Sequence, residues 1–311
     1  MNPIICIAGP TASGKTALAV ELALALDGEV VSCDSMQVYK RMDIGTAKPT
    51  PEERRGIPHH MIDVAEPWED YSVSRYCAQA APIVEDIVAR GKTAIIAGGT
   101  GLYLDSLIRG NDFAPFPSTG VREQLEAQAD REGIAVLFAQ LQQIDPAAAA
   151  RLPLSDRKRI VRALEVYLET GETITAHNLR TQQQPPRFAP VWLGLDFESR
   201  ADLYSRIDAR VGQMLEAGLL EEIRSLLAAG IPEKCTAMQA IGYKEFTAAL
   251  EGRCTIDQAA DLVRQSSRRY AKRQLTWFRR NREIHWLVRR PGQTDAEILA
   301  QARQLLQEND R

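Results

Sequence analysis

Apolar residues fall along this chain in two rhythms. Short unbroken runs at 3–8, 29–33, 93–97 and 191–195 predict buried parallel strands, with 284–288 a last strand and 58–64 a weaker one. Between them, apolar residues recur every three or four positions over 15–26, 74–90, 199–217 and 257–281, which predicts helices. Helix 74–90 carries Tyr76, Ala80, Ile83, Ile87 and Val88 on one stripe, and helix 199–217 has Ser199 as its N-cap and Gly218 as its stop. This alternation defines an α/β fold with a doubly wound parallel sheet. The rhythm changes at 113–117, a Pro- and Phe-containing joint. From there to about 180 only helices are expected, at 119–132, 134–142, 145–151, 155–170 and a shorter one from 173, followed by a Gln- and Pro-rich linker at 182–186. The chain therefore divides into a core domain, 1–112 with 190–311, and an inserted all-helical domain, 113–189.

The joint between the first strand and the first helix reads Gly9-Pro10-Thr11-Ala12-Ser13-Gly14-Lys15-Thr16, which fits G-x-x-x-x-G-K-[ST], the phosphate-binding P-loop. Glycines let the backbone curl so that its N–H groups point at phosphate oxygens, and the helix N-terminus adds partial positive charge. Lys15 supplies a full charge, and the Thr16 hydroxyl is placed to hold Mg²⁺. Ligands of such sheets bind beyond the carboxyl ends of the strands. The segments 9–16, 34–37 and 98–101 should share that crevice.

Asp34 ends the second strand. It either takes a proton or ligates metal there, or it caps the next turn. Gly98-Gly99-Thr100-Gly101 ends another strand where many P-loop enzymes carry a metal-binding aspartate, and no acid is present. That argues against an ATPase motor or a switch GTPase. Arg206 and Arg210 share a helix face beside the apolar stripe Leu203, Ile207, Val211 and Met214, as a diphosphate clamp or as a solvated edge.

The net charge of −3 excludes a uniformly basic nucleic-acid coat but leaves room for local patches. From Arg264 to Arg290 there are ten Arg or Lys residues and one acid, Glu283, with Tyr270, Trp277, Phe278 and Trp286 interleaved. Bases with stacking platforms are what RNA binding uses, and what a charge-laced surface helix also shows. Lys158-Arg159-Ile160-Val161-Arg162 is a second basic cluster. No run of 18 apolar residues is present, and the first apolar run leads straight into the phosphate loop, so neither a membrane span nor export is expected. The five cysteines are scattered without C-x-x-C spacing and read as reduced cytoplasmic thiols.

These pieces together resemble the bacterial tRNA dimethylallyltransferases (tRNA isopentenyltransferases). Besides the phosphate loop, the resemblance rests on Asp34-Ser35-Met36-Gln37-Val38-Tyr39, Met42-Asp43-Ile44-Gly45-Thr46-Ala47-Lys48-Pro49, Pro58-His59-His60-Met61-Ile62-Asp63, Gly98-Gly99-Thr100-Gly101-Leu102-Tyr103, Ile241-Gly242-Tyr243-Lys244 and Lys272-Arg273-Gln274-Leu275-Thr276-Trp277-Phe278-Arg279. It implies transfer of a dimethylallyl group from dimethylallyl diphosphate to N6 of the adenosine 3′ of the anticodon, position 37. The phosphate loop would seat the diphosphate with Mg²⁺ on Thr16, and Lys15 and Arg210 would neutralise the leaving group. Asp34 would accept the amine proton. Thr100 and Arg122 match tRNA-contacting positions. The segments Asp34-Ser35-Met36-Gln37, Lys158 to Arg162, Gln239-Ala240-Ile241-Gly242-Tyr243-Lys244 and Lys272 to Arg279 match tRNA-binding ones. The helical insert would clamp the anticodon stem-loop, and the enzyme would be a cytoplasmic monomer. The rival reading is a P-loop kinase of a nucleoside or small molecule, which shares the loop and a lid.

Overall fold

The computed structural model describes residues 4–111 and 119–309; Pro3 and the 113–117 joint lie outside them. In chain order the elements are β1 (Ile4–Ala8), α1 (Lys15–Ala25), β2 (Gly28–Ser32), α2 (Pro51–Arg54), β3 (His59–His60), α3 (Val73–Ala89), β4 (Thr93–Gly98) and α4 (Gly101–Arg109). Five helices follow: α5 (Val121–Glu132), α6 (Ile134–Ile144), α7 (Pro146–Ala149), α8 (Arg157–Thr170) and α9 (Ile174–Gln182). The chain then returns to β5 (Val191–Phe197), α10 (Arg200–Glu216), α11 (Leu219–Ala228), α12 (Tyr243–Leu250), α13 (Ile256–Phe278), β6 (His285–Arg289) and α14 (Asp295–Asn309).

The strands form one parallel sheet in the order β3-β2-β4-β1-β5-β6. Alternate side chains of each strand feed two cores, because successive Cβ atoms point to opposite faces. Ile5, Ile7, Val30, Ile95, Leu193 and Leu195 pack with α1 and α14 residues such as Leu18, Leu22, Ile298 and Ala302. Cys6, Ala8, Val31, Cys33, Ala94 and Ile96 pack on the other side with Tyr76, Val84, Leu104, Ile223 and Phe246. Both faces are covered, which explains why the strands read as unbroken apolar runs. Ser199 caps α10 by accepting from the Asp202 N–H, and Gly218 ends it at φ 99.

Two expectations change in detail. The 58–64 strand contracts to His59–His60, because Met61 and Asp63 turn into the left-handed region at φ 62 and φ 59. Helices α11, α12 and α14 occupy stretches in which the sequence rhythm predicts no element.

The chain forms two compact units, residues 1–108 with 187–311, and residues 109–186. The seams expected from sequence, 112/113 and 189/190, fall a few residues later. In the helical unit, Leu125, Leu137, Leu141, Ile160, Val161 and Leu164 make a core of their own. Asp145, Asp156 and Thr173 cap α7, α8 and α9. Where the core unit is interrupted, the Phe188 N–H donates to the Ile108 carbonyl at 3.1 Å.

Candidate active site

The phosphate loop runs from the carboxyl end of β1 into α1. Gly9 sits at φ 153, where an added Cβ would lie 2.8 Å from the Leu195 carbonyl oxygen, so only glycine fits beside β5. Ala12 (φ 61) and Gly14 (φ 93) complete the curl. Ser13 is 1% exposed, and its Oγ has no hydrogen-bond partner. A buried, unsatisfied hydroxyl inside an anion-binding loop is what a ligand oxygen would satisfy. Thr16 is exposed in the first turn of α1.

Three cations border this loop. Lys15 Nζ donates to the Pro10 carbonyl at 2.7 Å, Arg206 Nε to the Ala12 carbonyl at 3.0 Å, and Arg210 to Thr11 Oγ1 at 3.4 Å. Arg206 and Arg210 therefore both reach the phosphate loop. Among the described residues no carboxylate forms an ion pair with any of the three. Burial depresses the Lys15 pKa to about 8, with Asp34 opposing and Arg210 reinforcing the shift. Burial lowers Arg210 as well, opposed by Asp34 and Glu53. Cations held at such cost beside a phosphate loop are poised for an anion. They line a cleft of about 1030 Å³, with the loop 43–50, Glu53, Arg54, Asp63 and Met214 among its other walls.

Asp34 and Thr100 lie outside that lining and form a second group. Asp34 Oδ1 accepts from the Met36 N–H at 2.8 Å and the Gln37 N–H at 3.4 Å, so the turn-capping role is real. Both bonds fall on one oxygen, leaving Oδ2 for other work. Thr100 Oγ1 accepts from the Ser35 N–H at 3.0 Å, tying the end of β4 to the Asp34 turn. Tyr270 of α13 lies in the field of the Asp34 charge and beside Thr100; burial pushes its phenol up to about 12. Tyr270 thus joins the site, which its place among basic residues did not reveal.

The remaining candidate residues separate into two sets. Gln274 is 5% exposed, accepts from the Thr11 N–H at 2.9 Å and donates to the Gly99 carbonyl at 2.9 Å, bracing the phosphate loop against the β4 turn. An added Cβ on Gly99 would meet it at 2.2 Å. Leu275, Phe278, Ile160, Val161 and Tyr243 are buried in hydrophobic cores, so their side chains are packing groups that cannot touch a macromolecule on the surface. Trp277 donates to Asp105 at 2.8 Å and packs over Gly101. Lys158, Arg159, Gln239, Lys244, Lys272, Arg273, Thr276 and Arg279 have exposed side chains. Arg279 is bound to the buried Asp196 at 2.9 Å, and Arg122 forms a two-pronged pair with Glu165 at 3.0 and 2.8 Å. Gln37 Nε2 donates to the Thr46 and Ala47 carbonyls at 3.2 and 3.1 Å.

Among the described residues no group of three or more His, Cys, Asp or Glu side chains is arranged to hold a metal. The exposed Thr16 hydroxyl in the first turn of α1 suits a hard ion completed by phosphate oxygens and water, which is how Mg²⁺ is commonly held.

A parallel sheet with a phosphate loop, unpaired cations and a neighbouring carboxylate defines a P-loop enzyme acting on a phosphorylated substrate. Comparison with known proteins narrows the class. Residues 37–281 match the IPP transferase family model, and residues 2–70 match the isopentenyl transferase model. The tRNA dimethylallyltransferase of Carboxydothermus hydrogenoformans is 49% identical over 284 residues, 91% of each chain. That of Thermomicrobium roseum is 45% identical over 293 residues, 94% of this chain and 88% of the relative. The crystal structure of the tRNA isopentenylpyrophosphate transferase from Bacillus halodurans superposes with TM-score 0.73 at 40% identity, covering 98% and 96% of the two chains. A eukaryotic dimethylallyltransferase acting on tRNA superposes with TM-score 0.79 at 32% identity, over 93% of this chain and 74% of that one. This chain belongs to the tRNA dimethylallyltransferase family.

Proposed function

We propose that the enzyme transfers the dimethylallyl group of dimethylallyl diphosphate to N6 of adenosine 37 in tRNA, giving N6-dimethylallyladenosine. The carrying observation is the pairing of unneutralised Lys15 and Arg210 at the phosphate loop with the Asp34 carboxylate in electrostatic range of both. In the reaction the N6 lone pair attacks the allylic carbon, the carbon–oxygen bond to diphosphate breaks, and the amine proton passes to Asp34. Lys15, Arg210 and the loop N–H groups receive the charge growing on the diphosphate, the step's main electrostatic demand. Mg²⁺ on Thr16, when bound, would share that charge. Thr100 holds the Asp34 turn through the Ser35 N–H, and Tyr270 stands near it. An adenosine stacked in a loop must turn outward to reach this group.

The kinase reading is not favoured. Gly98-Gly99-Thr100-Gly101 closes β4 without the metal-binding acid that many P-loop phosphoryl-transfer enzymes carry there. We take the anticodon stem-loop as the tRNA feature bound, the exposed bases of α8 and α13 as its contacts, and a cytoplasmic monomer as the working form.

Mass spectrometry of tRNA incubated with enzyme, Mg²⁺ and dimethylallyl diphosphate is expected to find one dimethylallyl group on one adenosine. Asp34→Ala should retain tRNA binding and lose about 10²-fold or more in transfer. Unmodified tRNA with the wild-type enzyme, or phosphate incorporated from labelled ATP, would overturn the proposal.

A further inference from the structure

The loop 41–50 walls the cleft with Asp43, Ile44, Ala47, Lys48, Pro49 and Thr50, yet it contains no regular element and strains its own backbone: Arg41 and Ala47 stand at φ 63 and φ 48. Such conformations persist only when surrounding groups over-determine them. Buried Lys48 holds the loop from within, bonding the Tyr39 carbonyl at 2.6 Å, Asp43 at 2.6 Å and Asp63 at 2.5 Å, and a carboxylate 177 or more residues away in sequence holds it from outside. Glu222 of α11 accepts from the Asp43 N–H at 2.7 Å, the Ile44 N–H at 2.7 Å, the Gly45 N–H at 3.1 Å and the Tyr243 hydroxyl at 2.5 Å. Three consecutive backbone donors closing on one carboxylate form an anion nest, here filled by the protein itself. Gly45 is required for the fit, since an added Cβ would meet the Tyr243 ring at 2.5 Å.

The loop also carries a second connection. Its Thr46 and Ala47 carbonyls hold Gln37 Nε2, the Gln37 Oε1 accepts from Ser32 Oγ at 2.8 Å, and the Gln37 N–H bonds Asp34 Oδ1. Glu222 stands on the helix that follows α10, the carrier of Arg210. One carboxylate therefore joins the helix pair bearing the diphosphate-neutralising arginine to the loop that fixes the Asp34 turn.

We infer that Glu222 is a positioning residue for prenyl transfer: it sets the spacing between the Asp34 base and the Lys15–Arg210 cation pair, and touches neither substrate. The inference rests on the roles assigned above to Asp34 and Arg210. A spacing error of about 1 Å costs on the order of 10²-fold when geometry carries the rate. Glu222→Gln keeps the size but brings an amide N–H₂ against a nest of donors.

The test is single-turnover transfer at saturating dimethylallyl diphosphate and tRNA, with tRNA Kd and thermal midpoint measured on the same samples. Glu222→Gln should slow transfer tenfold or more with tRNA Kd changed less than twofold. Tyr243→Phe, which spares all three backbone bonds and the ring beside Gly45, should slow it less than threefold. Glu222→Gln that lowers the thermal midpoint but transfers at the wild-type rate would overturn the inference and leave a purely structural link. If Glu222→Gln does not fold, Glu222→Asp replaces it under the same two criteria. Asp34→Ala is run in parallel. If it transfers normally, the assignment of the base has failed; if it is inactive while the Glu222 variant is normal, only the positioning role has.

Discussion

The two ends of the sheet treat charge in opposite ways. At the amino end of β2, Glu29 is buried and fully engaged: Arg90 bonds both its oxygens, the shorter contact at 2.5 Å, and His60 bonds it at 2.8 Å. At the carboxyl end, among the described residues, the hydrogen bonds of Lys15, Arg206 and Arg210 go to neutral oxygens of the loop. One end satisfies its charges internally and gains stability. At the other, although Asp196 is paired with Arg279, the phosphate-loop cations have no carboxylate partner among the described residues and keep a site ready for a ligand.

The largest test of that contrast is Lys15→Met. Transfer should fall by about 10²–10³-fold, the range for losing one charge-stabilising donor, while the thermal midpoint rises because a desolvated cation is gone. Single-turnover kinetics and a melting curve on the same protein read both. A large drop in midpoint would break the contrast.

Glu29→Gln should do the reverse. It should lower stability by about 1–3 kcal/mol, read from denaturant midpoints, and leave transfer at 25 °C within twofold.

pH separates the two ends further. The Arg90 hydrogen bonds, helped by His60 and opposed by burial, hold the Glu29 carboxyl at about 2. Because its folded pKa is depressed, its stabilisation is complete above the ordinary carboxylate range and is lost as pH falls from about 4.5 towards 2. Wild type should therefore lose more stability over that window than Glu29→Gln. Lys15 has the same direction of shift but the opposite consequence. Its folded pKa of about 8 means the charged form costs stability below 8, and the cost is relieved as pH rises towards 10.5. For the free enzyme, kcat/KM for dimethylallyl diphosphate should fall above about pH 8, and Lys15→Arg should move that limb beyond the measurable range.

The smallest effect belongs to the surface. Arg273 is exposed over the Tyr270 ring, with no carboxylate attached, and Arg273→Ala should shallow the salt dependence of tRNA affinity by about 0.9 in log–log slope. Arg279 is already bound to Asp196, so Arg279→Ala should change the slope less.

What could be read from sequence follows the range of the interactions. The phosphate loop is local: eight consecutive residues set its curl, its lysine and its helix, and each was legible. The capping role of Asp34 was legible for the same reason, and the structure shows it. Arg206 and Arg210 could be placed on one face, but that this face meets Thr11 and Ala12 is a tertiary fact. The links through Glu222, Gln274 and Tyr270 were hidden, because their partners lie 170 or more residues distant. Motif likeness also overcounts. Ile160, Val161, Tyr243, Leu275 and Phe278 sit in the matched segments beside exposed bases, yet they recur there because a helix must bury one face to present the other.

The bond between Phe188 and Ile108 has an evolutionary reading. The segments that leave and re-enter the core unit meet across one hydrogen bond, so the 78 residues from Arg109 to Pro186 begin and end at nearly one point. An insertion hung on such a closed stem leaves the register of the sheet untouched whatever its length.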